Sequence, residues 1–250
     1  MKTVLNVSLS VVLSIFCIFA LYLKVIKKSS IKDNIYMPEV IYMDYDNTIE
    51  DNSKWKEDMD YALKKNFTPE QLKPIDAIAV NHEKWDFIRK NYGEEYIHKL
   101  ETDTNIAKMT HKDAHITGVD EFLETTLMSG IETHIVSQRH HQYVNKLLDR
   151  SNLRKYFKGV YGAGESLRKS RPEFTEFVLK EVNGKGKKCW MIGDASVDID
   201  TALGLGCLAF VISDEQKISI NKKYKDLINK QVFLVSYNSL SYILSTLVLG

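Results

Sequence analysis

Cysteine is scarce in this chain and poorly spaced for structural work. The three cysteines, Cys17, Cys189 and Cys207, are odd in number and far apart, which offers neither a disulfide framework nor a zinc-ligand spacing and fits a reducing compartment. Internal repeats and low-complexity tracts are also missing. With 44% apolar and 27% charged residues, the composition is ordinary globular and argues against disorder. A basic surplus is missing from the main body. Five of the 34 Lys and Arg residues fall in residues 1–32, which hold no acid, so the other 29 face all 33 acidic residues. That balance excludes the electrostatic footprint of a nucleic-acid binder. The C-terminal stretch "SLSYILSTLVLG" is apolar but only 12 residues long, short of the roughly 20 a membrane span needs. It reads as a core-packing helix.

One long uncharged run is present. From Val4 to Leu23 only Asn6, Ser8, Ser10 and Ser14 interrupt apolar residues, and as a helix this run would reach about 30 Å, one hydrocarbon core. A cleaved signal peptide is the rival reading, but "FALYLKVIKKSS" offers only a poor small-x-small cleavage site. The run is therefore read as a single-pass transmembrane anchor. Lys24, Lys27, Lys28 and Lys32 follow it, and the positive-inside bias keeps the rest of the chain cytoplasmic.

Beyond a linker at 33–39, the run Val40–Met43 leads into Asp44 and Asp46, one residue apart. Residues 54–115 are polar, helix-rich and studded with aromatics, among them Trp55, Phe67, Trp85 and Tyr92. After Thr117, helical periods alternate with short apolar runs. "GVDEFLETTLMSG" reads as a helix ended by Gly130, and "IETHIVS" as a strand ending at Ser137. A helix over about 140–150, another near 172–183, and the strand "KKCWMIGD" ending at Asp194 follow. "DIDTALGLG" continues as a helix, "CLAFVIS" and "VFLVSY" as strands, and a last helix starts near Ser239. Such alternation predicts an α/β fold, a Rossmann-like doubly wound parallel sheet covered on both faces. Ligands then bind at the carboxyl ends of the strands, where Asp44, Ser137 and Asp194 all fall.

Asp44, Asp194 and Asp198 in one crevice would repel one another, so a cation should neutralise them. Short oxygen ligands suit a hard ion, and Mg²⁺ fits when the substrate is a phosphate. Ser137 offers a hydroxyl donor, and a nearby lysine could balance phosphate charge. A carboxylate can itself accept a phosphoryl group. A second acid two residues on could protonate the leaving group and then activate water.

In their order and spacing these residues resemble the haloacid dehalogenase superfamily of phosphohydrolases. "DYDNT" at 44–48 matches its first motif, "IVS" ending at Ser137 its second, "KSRPEF" at 169–174 its third, and "GDASVDIDTALGLG" at 193–206 its fourth. The resemblance covers residues 38–248. It implies Asp44 as nucleophile, Asp46 as general acid and base, and Mg²⁺ held by Asp44, the Asp46 carbonyl and Asp194. It further implies Asp198 supporting the metal's water shell and Thr48 orienting the Asp46 loop. Ser137 and Lys169 would bind the transferring phosphoryl group of a small phosphorylated substrate. Residues 54–115 fall where the family inserts a helical cap, which leaves 33–53 and 116–250 as catalytic core behind the anchor at 4–23. Ser170 replaces the usual proline after the third-motif lysine, and Arg171 competes with Lys169 for its role. Gln138 stands where asparagine is commoner, and Asn47 where glycine is, which asparagine's tolerance of unusual backbone regions accommodates.

The remaining candidates read as structural. His140 and His141 suit a surface helix, and His111 and His115, four apart, lack a third metal ligand. The aromatics of 54–115 suit the core of a cap. Three functions compete: a membrane-tethered Mg²⁺-dependent phosphomonoesterase, a sugar-phosphate mutase on the same core, and a non-catalytic membrane-tethered binding module.

Overall fold

The computed structural model describes residues 34–78, 81–111, 114–162, 169, 171–212 and 222–249. The anchor reading of residues 4–23 lies outside these. Among the described residues, no helix is long and apolar enough to cross a membrane.

Six parallel strands form one sheet in the order β3-β2-β1-β4-β5-β6. They are β1 (Val40–Met43), β2 (Glu132–Ser137), β3 (Gly159–Gly162), β4 (Cys189–Gly193), β5 (Leu208–Ile212) and β6 (Val232–Val235). Every residue of β1 is buried, as a central strand covered on both faces requires, which is why it reads as an unbroken apolar run. Side chains alternate between the faces. Ile41 and Met43 join the core under α5 (Val119–Met128), α6 (His141–Arg150) and α9 (Tyr237–Leu249). Val40 and Tyr42 join the core under α7 (Pro172–Glu181) and α8 (Ser196–Leu205).

Between β1 and α5 the described residues form the helices α1 (Trp55–Asn66), α2 (Pro69–Asp76), α3 (Asn81–Tyr92) and α4 (Glu94–Lys108). They enclose a core of their own built from Met59, Leu63, Phe67, Ile75, Ile88, Ile97 and Leu100. Phe67 stacks on Tyr96 and meets Tyr92 edge-on, so much of the aromatic content is spent on packing. Thr68 starts α2 with a reciprocal capping box to Gln71, and Pro69 fills the first helical position.

Three features depart from the sequence reading. Cys189 and Cys207 form a disulfide, with Cα atoms 4.7 Å apart, against the expectation of unpaired thiols. The pairing of Trp190 with Leu208 in adjacent parallel strands brings the two preceding residues side by side, a closeness that 18 residues of separation do not reveal. Gly159–Gly162, to which the pattern assigns no element, is the edge strand β3. Residues 35–37 of the expected linker pack against the core, and the carbonyl of Tyr36 accepts a hydrogen bond from the Trp190 indole at 3.0 Å.

Candidate active site

The strand ends converge as the topology demands. Asp44 follows β1, and its amide donates to the Ile192 carbonyl of β4 at 2.8 Å. Ser137 closes β2, buried, its hydroxyl accepting from the Arg139 amide at 3.1 Å. Asp194 follows β4, and Asp198 lies in the first turn of α8. One Asp198 oxygen accepts from the Asp194 and Ala195 amides at 3.0 and 2.9 Å, satisfying the start of the helix. Gly193 makes this fit, because a Cβ there would collide with the Asp198 carboxylate.

Ligand oxygens of Asp44, Asp194 and Asp198 all lie within 4.8 Å of one another. Lys169, 1% exposed, enters this group with its ammonium 2.7 Å from Asp44 Oδ1 and hydrogen-bonded to Asp198 Oδ1. Its backbone is gripped twice: its amide donates to the Gln138 side chain at 3.3 Å, and its carbonyl accepts from the Thr201 hydroxyl at 3.2 Å. Arg171 is exposed at the start of α7, so Lys169 is the cation that reaches the carboxylates. Gln138, a departure from the usual motif, and Thr201 are supporting residues that the motifs do not single out.

Burial raises the Asp44 carboxyl most; Lys169 opposes this, and Asp198 and Asp46 reinforce it. Asp194 is pushed up to about 6, first by burial and then by Asp198. Burial pulls the Lys169 ammonium down, but Asp198 and Asp44 together outweigh it and hold it above its ordinary value. With all three carboxyls ionised, one ammonium would leave two negative charges over, which a divalent cation would cancel. The all-oxygen donor set fits Mg²⁺.

Asp46 stands apart from that trio. Arg139 holds its carboxylate in a fork, Nε to Oδ2 at 3.1 Å and one terminal nitrogen to Oδ1 at 2.9 Å. The other terminal nitrogen donates to the side-chain oxygen of Asn105 on α4. The Asp46 loop is fixed by Asn47 at φ 55° and by the Tyr237 hydroxyl, which donates to the Thr48 carbonyl at 2.8 Å. The Thr48 hydroxyl itself is buried without a hydrogen-bond partner among the described residues. Nearby, buried Glu50 accepts from the Tyr45 hydroxyl and faces Lys108 of α4 at 3.3 Å.

The histidines take ordinary structural posts. His111 pairs with Asp58 and His115 with Asp120, so they share no helix face. His140 caps α6, and His141 is exposed at its first turn.

A parallel doubly wound sheet with carboxylates and a buried lysine gathered at its strand ends has the layout of an α/β enzyme. The chain matches the haloacid dehalogenase-like hydrolase family over residues 41–212, and it belongs to that family. Solved structures agree in fold. CbbY from Rhodobacter sphaeroides in complex with phosphate shares 12% identity over 82% of this chain and 96% of its own, with a TM-score of 0.61. A haloacid dehalogenase-like family hydrolase from Streptococcus pneumoniae shares 16% over 82% and 98%, with a TM-score of 0.61. A HAD-superfamily hydrolase from Ehrlichia chaffeensis shares 17% over 86% and 99%, with a TM-score of 0.53. No curated protein matches the sequence.

Proposed function

We propose that this hydrolase cleaves small phosphomonoesters through an aspartyl-phosphate on Asp44. The observation that carries this reading is the buried ammonium of Lys169 shared between Asp44 and Asp198, with Asp194 alongside. That arrangement suits binding and transfer of a dianionic group better than it suits a merely structural core.

In the first half-reaction an Asp44 oxygen attacks phosphorus, and the bond to the ester oxygen breaks. Lys169 neutralises charge on the phosphoryl oxygens, and the Ser137 hydroxyl donates to one of them. Asp46, protonated, gives its proton to the departing alkoxide. In the second half, Asp46 takes a proton from water as that water attacks phosphorus, which restores Asp44 and releases inorganic phosphate. Asp44, Asp194 and the Asp46 carbonyl would hold Mg²⁺, with Asp198 supporting its waters. When bound, the ion supplies charge neutralisation for the phosphoryl group.

The helices α1–α4, lying between the first two motifs, act in this reading as a cap over 54–115 that selects substrate, above a core of 33–53 and 116–250. Residues 4–23 tether the enzyme to a membrane; the lysines that follow them favour the cytoplasmic side for the catalytic part, whereas the Cys189–Cys207 disulfide favours an oxidising one. A screen of phosphorylated metabolites on the full chain, with Mg²⁺ or with chelator, tests the reaction. Phosphate release only with Mg²⁺ is expected. Isomerisation without net release would point to a mutase, and failure on every ester would overturn the enzymatic reading.

A further inference from the structure

The arginine fork on Asp46 conflicts with the duty given to Asp46. A carboxylate whose two oxygens both accept from a guanidinium has its orientation set by that fork rather than by a leaving-group oxygen, although each oxygen keeps a second lone pair. Asp46 turns freely to the leaving group only once it parts from Arg139. Arg139 is poorly placed to be left alone, since its side chain is only 8% exposed and a buried cation stripped of its partner is strongly unfavourable. Water alone is a weak substitute in so enclosed a place. A second anion taking the carboxylate's position would satisfy Arg139 and release Asp46 together.

Position favours substrate as the source of that anion. Arg139 stands two residues past Ser137, a phosphoryl-binding candidate, and its guanidinium touches Asp46 on one side and Asn105 of α4 on the other. These bonds engage three of the five N–H groups of a guanidinium. The group thus lies where the four-helix unit meets the strand ends, on the side where the leaving group must depart. Planar forked donors match carboxylate and phosphate oxygens.

We propose that Arg139 reads a second anionic group, carboxylate or phosphate, on the leaving-group side of the phosphomonoester, and that this contact frees Asp46 for proton transfer. The inference rests on the phosphatase reading above. Its substrate class is therefore phosphomonoesters with two anionic ends, and esters with neutral leaving groups are disfavoured because they leave Arg139 closed on Asp46.

Binding of two non-hydrolysable probes to the full chain with Mg²⁺ tests it without turnover. Phosphonoacetate carries the second anion and methylphosphonate does not. In the wild type, calorimetry should show phosphonoacetate bound about 10- to 100-fold more tightly, the range of one charge-assisted hydrogen bond. In Arg139→Gln that ratio should collapse toward unity, and Arg139→Lys, which keeps charge without the fork, should fall between. The kcat ratio of phosphoglycolate over ethyl phosphate, a pair differing in the second anion, should shrink in parallel. Should Arg139→Gln fail to fold by thermal melt, Arg139→Lys carries the same comparison. An undiminished ratio in the variants, or no preference in the wild type, would make Arg139 a purely structural brace and overturn the inference while leaving the phosphatase intact. Failure of the wild type to bind either phosphonate would instead bring down the phosphoryl site and the inference with it.

Discussion

Replacing Lys169 with methionine keeps most of the side chain's length and apolar stem but removes the ammonium held between Asp44 and Asp198. Both carboxylates are buried, Asp198 at 2% and Asp44 at 8% exposure, so neither can recover its hydration without rearrangement. Removing one partner of a buried ion pair costs about 3–5 kcal/mol. That is a large share of the roughly 5–15 kcal/mol that holds an ordinary domain folded. For a protein of this size each kcal/mol lowers Tm by roughly 2–4 °C, so Lys169→Met should melt roughly 6–20 °C below wild type in chelator. Magnesium should restore part of the loss, because a ligand present at about 100 times its Kd adds about 2.7 kcal/mol to the folded state. Magnesium should stabilise the wild type as well, by cancelling the excess negative charge of the cluster. Calorimetric melts of both proteins, with Mg²⁺ and with chelator, read all four states. A variant melting within a degree or two of wild type in chelator, and indifferent to magnesium, would refute the charge arrangement argued here.

Stability should also depend on His134. Burial lowers its pKa most, against the opposing pull of Glu132, and its Nδ1 has no partner among the described residues. A folded-state pKa below the ordinary value near 6.5 means that the unfolded chain takes up this proton first as pH falls. Its contribution is therefore complete above about pH 6.5 and is lost as pH falls below it. Urea titrations from pH 7.5 to 5 should show a steeper decline for wild type than for His134→Gln; parallel slopes would contradict the assignment. Reducing the Cys189–Cys207 bridge should destabilise by about 3 kcal/mol on the loop-entropy argument, read as a lower Tm in reductant. Three free thiols titrating in the native, non-reduced protein would show that the bridge does not form.

Much of this site was legible because its residues sit where chain topology leaves little choice. Val40–Met43 and the run before Asp194 are central parallel strands, whose burial on both faces writes itself as continuous apolar sequence. The acids that end them must then meet at one edge of the sheet. Lys169 was legible only as one of two cations, because Ser170 breaks the motif; its burial against Asp44 and Asp198 distinguishes it from exposed Arg171. The disulfide was hidden because it depends on strand register, which a count of residues between cysteines does not contain. Strand β3 was hidden because its two glycines and half-buried edge carry no apolar signature. Arg139 left no mark either. An arginine just past a strand reads as surface, and only the approach of Asp46 and of Asn105 from α4 encloses it. His111 and His115, set aside as metal ligands on their spacing, also share no helix, because α4 ends at Lys108, before either histidine.

The claim on which the rest depends is that Asp44 becomes phosphorylated. The most direct measurement is rapid acid quench of the full chain turning over a phosphomonoester with Mg²⁺, followed by borohydride reduction and peptide mass spectrometry. Reduction converts an aspartyl-phosphate to homoserine, and this change is predicted at position 44. It should be more abundant in Asp46→Asn, where the water step lacks its base and turnover falls about 10²-fold or more. It should be absent in Asp44→Asn, together with all turnover. Sustained turnover by Asp44→Asn, or reduction at a residue other than Asp44, would contradict the account.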